Sequence, residues 1–268
     1  MISYRDHLIY LAVTCNGNRN LIIREATKRC YLNETEVKDV VSKVRSNVLT
    51  YLDPEYPSYL RNLNECPIVL FYYGDISLIN DENQKRNLAV VGSRKATEYG
   101  LFHTDKIVKE VAKKCNIVSG LASGIDAQAH QTALDCGAKT IAVLGSGIDY
   151  PWPTENALLY MNIIKEGGLV ISEYPNMSEP DGYHFPIRNR LIVMFSNAVL
   201  ITEAHGLRTG TSITARLGLD YGRSVMAIPY SLDVVDSFCN TLIYEGCILV
   251  RDGTDILIDM DLEEIKNI

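Results

Sequence analysis

Two stretches of the chain combine arginine with residue types that suit a phosphate or a base. In the first, the apolar run Leu88-Ala-Val-Val91 breaks into Gly92-Ser93-Arg94, and a helical pattern starts near Thr97. A buried strand that turns on a glycine into a helix leaves unpaired N–H groups at the positive end of the helix dipole, which favours an anion. Arg94 adds a planar, permanently charged donor suited to bidentate phosphate contact. The same residues also fit a solvated arginine on an ordinary strand-to-helix loop. The second stretch is His184-Phe-Pro-Ile-Arg-Asn-Arg190. Pro186 suits the first turn of a helix, and Arg188, Asn189 and Arg190 follow within reach of a backbone phosphate, with Phe185 able to stack on a base. Here too a second reading stands: Arg188 and Arg190 pair with carboxylates and Phe185 is core.

The other strand ends extend the pattern. Ser119-Gly120 to Asp126, Gly145-Ser146-Gly147, Ser172-Glu-Tyr-Pro175 and Thr202-Glu-Ala204 through Gly210-Thr211-Ser212 all follow short apolar runs. In an open parallel sheet ligands bind beyond the carboxyl ends of the strands. Several Gly, Ser or Thr loops on one edge therefore make a row of phosphate-sized notches, better suited to an oligonucleotide or nucleotide than to a small neutral substrate.

Enzyme signatures are missing. No G-x-x-x-x-G-K-[ST] loop is present, Gly145-Ser-Gly147 lacks the third glycine and the acidic partner of a dinucleotide site, and Ser123 is one place off a nucleophile elbow. Asp126 and His130 share a helix face, but two residues make a poor metal site, and a capping aspartate fits better. His184 and His205 have no ligand spacing. No catalytic constellation, metal site or cofactor is expected.

The elements that position these loops read clearly. From Leu88 to about Glu245, apolar runs of strand length alternate with helical patterns, which implies βαβ units and a doubly wound, mostly parallel α/β sheet of Rossmann-like type. Residues 1–52 read as a small module of short helices, 53–252 as the core domain, opened by the proline-marked Asp53-Pro-Glu-Tyr-Pro57, and 253–268 as a short acidic helical tail. The 268 residues, 47% hydrophobic, are ample for one such core. No run approaches the roughly 20 apolar residues that span a bilayer, so no membrane association is expected. The N-terminus lacks the layout of a signal peptide. Seven scattered cysteines without a C-x-x-C pair argue against zinc and a disulfide framework and point to the cytoplasm. The net charge of −7 predicts no general attraction to polyanions, so any anion site must be local.

Taken together, Val91-Gly-Ser-Arg-Lys-Ala96, Ser119-Gly-Leu-Ala-Ser-Gly-Ile-Asp-Ala-Gln-Ala-His130, Thr140-Ile-Ala-Val-Leu-Gly145, Ser172-Glu-Tyr-Pro175, Phe185-Pro-Ile-Arg-Asn-Arg190 and Gly210-Thr-Ser-Ile-Thr-Ala215 resemble the DprA/Smf (DNA-processing protein A) family from about Tyr56 to Asp252. The resemblance implies an extended Rossmann fold, a homodimer, and sequence-independent binding of single-stranded DNA that is handed to the RecA recombinase during natural transformation, without catalysis. It also implies DNA lying over Gly92, Ser93, Arg94, Phe185, Arg188, Asn189 and Arg190. Some departures bear on affinity. Ser123 stands where the family commonly has arginine, Glu179-Pro-Asp-Gly182 is acidic where a basic residue is common, Thr209-Gly-Thr-Ser212 replaces Ser-Gly-Ser-Leu with Arg208 just before it, and Pro229-Tyr230 replaces proline-glycine. No winged helix is expected after the core. Fewer cations imply weaker phosphate neutralisation. Two other functions remain open: a sensor of a nucleotide signal, and a phosphoribohydrolase-like enzyme. The latter lacks the P-G-G loop and has Glu203 on the wrong side of Gly210-Thr211.

Overall fold

In the computed structural model, which describes residues 2–28, 33–176, 178–206 and 209–264, the alternation becomes a nine-stranded sheet. Its strands are β1 (Asn47–Thr50), β2 (Val69–Gly74), β3 (Asn87–Gly92), β4 (Asn116–Ser119), β5 (Thr140–Val143), β6 (Leu169–Ser172), β7 (Ala198–Glu203), β8 (Ser224–Ala227) and β9 (Ile248–Leu249). They lie in the order β1-β2-β6-β5-β4-β3-β7-β8-β9. All pairings from β6 across to β9 are parallel, and β1 and β2 add an antiparallel edge beside β6. The expected doubly wound α/β fold is what the chain forms.

Strand residues alternate between two helical layers, as the period of two requires. Leu88 and Val90 of β3 pack with α5 (Glu98–Val111) and α6 (Ile125–Asp135), whereas Ala89 and Val91 pack with α8 (His184–Met194), α9 (Gly210–Asp220) and α10 (Phe238–Tyr244). The helix α7 (Ala157–Lys165) completes the first layer over β5 and β6. The strand order reverses between β3 and β7, and their register shifts between Val91 and Gly92 while the pairing continues to Gly92 and Glu203. Beyond these carboxyl ends the chain leaves β3 for α5 on one face and β7 for α9 on the other, which opens a crevice.

The N-terminal segment differs in part from expectation. Helices α1 (Tyr4–Thr14), α2 (Arg19–Ala26) and α3 (Glu34–Ser42) form, but residues 47–50 of the expected helical module form strand β1 paired with β2. The proline-marked segment is braced on both sides. Arg5 Nε donates to Asp53 Oδ1 at 2.8 Å, and the Arg61 guanidinium, on the short helix α4 (Ser58–Arg61), lies 4.7 Å from the Tyr51 ring and 5.0 Å from the Tyr56 ring. The helix α10 starts at Phe238, where Ser237 accepts the Asn240 N–H and caps it. The acidic tail is not free: α11 (Gly253–Asp259) buries Ile256 and Leu257 with the α5 layer, and the Gly253 N–H donates to Glu110 at 2.6 Å. The last four residues, 265–268, lie outside the described ones.

Gly100, in the first turn of α5, packs against the Glu203 side chain, and a Cβ there would overlap Glu203 Oε2. Alanine ordinarily stabilises a helix relative to glycine by about 1 kcal/mol. Here the sign inverts: Gly100→Ala is expected to destabilise the fold by about 2 kcal/mol, because a buried carboxylate must give up its partners. Urea unfolding checks this, and an alanine variant as stable as the parent rules it out.

Candidate functional site

Three groups of residues enclose a cleft of about 710 Å³ at the carboxyl ends of β3 and β7: Gly92 to Lys95 after β3, the first turns of α8, and Ala204 and His205 after β7 with Thr209 to Thr211 at the start of α9. The Arg94 side chain is exposed, and its guanidinium carbon lies 5.2 Å from the centroid of the half-buried Phe185 ring. The ring is held from below by Gly145, where a Cβ would come 2.7 Å from Phe185 Cδ1. His184 is fixed by stacking on Tyr174, centroids 3.8 Å apart. Across the cleft, Thr209 and Ser212 form a reciprocal capping box at the start of α9, and Gly210 and Thr211 open that helix onto the cleft. First-turn N–H groups have no acceptor within their helix. Asn189 Nδ2 donates to the Gly210 carbonyl at 3.2 Å, tying α8 to α9.

The expected anion site at α5 is already filled. Glu203, fully buried at the end of β7, accepts the Thr97 N–H at 2.9 Å and the Thr97 hydroxyl at 2.8 Å, and its backbone carbonyl accepts the Ser93 N–H at 2.8 Å. The Lys95 N–H donates to Ser93 Oγ at 3.1 Å. Gly92 and Ser93 therefore line the cleft, while several N–H groups of their loop serve the fold. Gly92 is a packing glycine, since a Cβ would come 2.6 Å from Ile125.

Most of the other expected notches are closed in the same way. The Ser119 hydroxyl donates to the Val90 carbonyl at 2.6 Å, the Ser146 hydroxyl to the Tyr150 carbonyl at 2.6 Å, and the Ser172 hydroxyl to the Ser146 carbonyl at 2.7 Å, all three residues being fully buried. Gly120 leaves room for the Arg188 guanidinium, 2.6 Å from where a Cβ would stand. Arg188 is only 4% exposed; it donates to the Gly120 carbonyl at 2.7 Å and to the Val143 carbonyl, bracing the ends of β4 and β5 from the cleft floor. Burial lowers its pKa to about 10, against the pull of Asp126. Asp126 is not the helix cap expected of it. Its carboxylate accepts the Gly120 N–H at 3.0 Å, and burial raises its pKa, opposed by Arg188. Arg190 does not line the cleft: it donates to Glu173 at 2.7 Å, both side chains nearly sealed from solvent. For Arg190 the carboxylate-pairing alternative holds.

Other residues reach the cleft without a sequence signal strong enough to select them. Lys95 lines it, as does His205, whose Nε2 lies 3.0 Å from Glu203 Oε1 and Nδ1 3.4 Å from Asp236 Oδ1. Trp152 borders a small notch beside it. Ser123, in the place of the family's arginine, donates to Glu155 at 2.7 Å. Arg208 lies outside the described residues. Among the described residues the cysteines are free, no cluster of three or more His, Cys, Asp or Glu could hold a metal, and no helix is long and apolar enough to cross a membrane.

A family model described as DNA recombination-mediator protein A matches residues 47–261. The chain belongs to that family. It is 40% identical over 211 residues to DNA processing protein DprA of Streptococcus pneumoniae, covering 78% of this chain and 73% of that one. It is 37% identical over 232 residues to Protein Smf of Synechocystis, covering 86% of this chain and 58% of that one. Among solved structures, DprA from Streptococcus pneumoniae superposes with a TM-score of 0.75 at 33% identity, over 95% of this chain and 93% of that one. DprA from Helicobacter pylori, whose structure is described as giving insight into a single-stranded DNA binding mode, superposes at 0.70 with 28% identity, over 82% and 97%. The family description is that of a mediator and names no catalysed reaction.

The two arginine environments predict opposite stability effects. Arg190→Ala leaves Glu173 buried and unpaired and is expected to cost about 3–5 kcal/mol, whereas Arg94→Ala on the surface stays within about 0.5 kcal/mol. Chemical denaturation separates them, and equal stability of the two variants refutes the assignment. His130 sets a pH dependence. It is fully buried, its Nδ1 lies 2.6 Å from Thr140 Oγ1, and burial lowers its pKa from 6.5 to about 3. Above pH 6.5 it is neutral in both states. Between there and about pH 3 the unfolded chain binds a proton that the folded chain refuses, so this residue removes stability as pH falls, by at most about 1.4 kcal/mol per unit. His130→Asn is expected to unfold with a shallower acid slope than the parent; an identical slope tells against it.

Proposed function

We propose that this chain binds single-stranded DNA across the rim of the β3/β7 cleft, without catalysis, and passes it to a recombinase. The observation that carries this reading is the exposed Arg94 guanidinium beside the half-buried Phe185 ring at the mouth of the cleft. One group takes a phosphate and the other a base, which is the pairing that sequence-tolerant single-strand binding uses. The description of the Helicobacter pylori relative and the mediator description of the family support the same ligand. RecA as the recipient, a homodimer as the working form and a cytoplasmic setting rest on the family resemblance. Gly92, Ser93, Gly210 and Thr211 then contribute backbone at the rim, while Arg188 and Asn189 shape its floor. A nucleotide-sensing role is the second reading, favoured by a cleft volume within the range of small-molecule sites.

Fluorescence anisotropy with labelled oligonucleotides tests the proposal. The native chain is expected to prefer single strands to duplex, with affinity that falls as salt rises. Arg94→Ala is expected to weaken binding and reduce the log–log salt slope by about 1. Phe185→Ala is expected to weaken it by about 1–3 kcal/mol with the slope kept. No binding at low salt, or binding indifferent to both substitutions, refutes the reading; tight binding of one mononucleotide in its place supports the sensor.

A further inference from the structure

The loop after β5 carries the only tryptophan of the chain, Trp152. Its side chain is 39% exposed and, with Arg94, Ser123 and Phe185, borders a notch of about 50 Å³ beside the main cleft. That volume accommodates a water or two, so the notch cannot swallow a base, but a base can lie across its rim. Among the described residues no other ring stacks on Trp152.

The loop that presents it is held on several sides. The Gly147 N–H donates to the Ser178 carbonyl at 2.7 Å, and the Asp149 N–H to the Asn176 carbonyl at 2.9 Å. The Asp149 carboxylate accepts the Tyr73 hydroxyl at 2.7 Å and Asn176 Nδ2 at 2.6 Å. Just beyond the tryptophan, Asn156 Nδ2 donates to the Leu121 carbonyl at 2.9 Å. A large indole on a braced loop offers stacking area at little cost in conformational entropy. On the side of the notch away from Arg94, the charge favours a base over a phosphate. Ser123 carries no charge, and its partner Glu155 places an exposed carboxylate three residues from Trp152.

We propose that Trp152 is a second base-stacking platform for single-stranded DNA, taking the nucleotide that lies beyond Phe185 and Arg94. This rests on the single-strand reading above. The strand runs from the cleft over Arg94, which borders both the cleft and the notch, and its next base lies on the exposed indole. An uncharged stacking contact thus extends the track past Ser123 and Glu155, where a phosphate contact has no cation to meet.

The test uses the intact chain and an unlabelled thymidine oligonucleotide, with tryptophan emission read beside anisotropy of a labelled copy. Because the chain has one tryptophan, any emission change reports this position or its surroundings. Emission is expected to be quenched with the same midpoint as the anisotropy curve, and to stay unquenched with an abasic sugar-phosphate oligomer of equal length. Trp152→Ala is expected to lower affinity about tenfold with an unchanged salt slope, and Trp152→Phe to restore most of it. Binding by anisotropy with unchanged emission overturns the platform and leaves the single-strand reading standing, as does undiminished affinity in Trp152→Ala. No binding of any oligonucleotide by the native chain overturns both.

Discussion

A carboxylate buried at the carboxyl ends of β3 and β7 governs the geometry of the crevice. Glu203 has no exposed surface, and a charge so placed persists only when hydrogen-bonded on several sides. Its partners come from three directions: Thr97 at the head of α5, His205 in the loop toward α9, and the Tyr230 hydroxyl at 3.3 Å from the segment after β8. The same residue holds Ser93 through its backbone carbonyl. One residue thereby ties the loop after β3 to the loop after β7. It also caps the positive end of α5 from inside, which leaves the starts of α8 and α9 to face the cleft.

The buried arginines follow a related logic. Arg188 answers to backbone carbonyls at the ends of two neighbouring strands and to the charge of Asp126, and Arg190 answers to Glu173. Both are too well enclosed to meet a polyanion without rearrangement, so their worth is in setting where α8 sits against the sheet. Once α8 is placed, Phe185 is placed with it, resting on the Gly145 backbone. The cations spent inside are unavailable outside, and the chain keeps a net charge of −7. Arg94 and Lys95 at the rim supply the local positive charge.

How far the sequence could be read follows from which physical signals are local. The continuous apolar run Leu88-Ala-Val-Val91 and the alternation of strand and helix patterns after it declare strands, helices and the ligand-bearing edge, because each depends on residues within a few positions. Family motifs declared membership for the same reason. Pairings across long stretches are not local: Arg190 with Glu173, Ser119 with Val90, and Glu203 with Thr97 join residues that no spacing rule relates. Hydroxyls and N–H groups that look free in a loop sequence are therefore found bonded within the fold. Strand β1 escaped notice because Asn47-Val-Leu-Thr50 is short and sits after a run of helical patterns, and its strand character comes from pairing with β2.

The balance between stacking and charge bears on the choice between one strand and two. A duplex carries about one negative charge per 1.7 Å of its axis and keeps its bases turned inward. Brought to this rim it would present phosphates to the Glu155 carboxylate beside Ser123 with no π-face to offer Phe185. A single strand can swing its phosphates away from that carboxylate and turn its bases toward the ring. Discrimination of this kind needs no contact unique to the single strand; it follows from an acidic border that a flexible chain can avoid and a stiff one cannot. On the proposed single-strand reading, the scarcity of free cations, a weakness for affinity, becomes a source of selectivity.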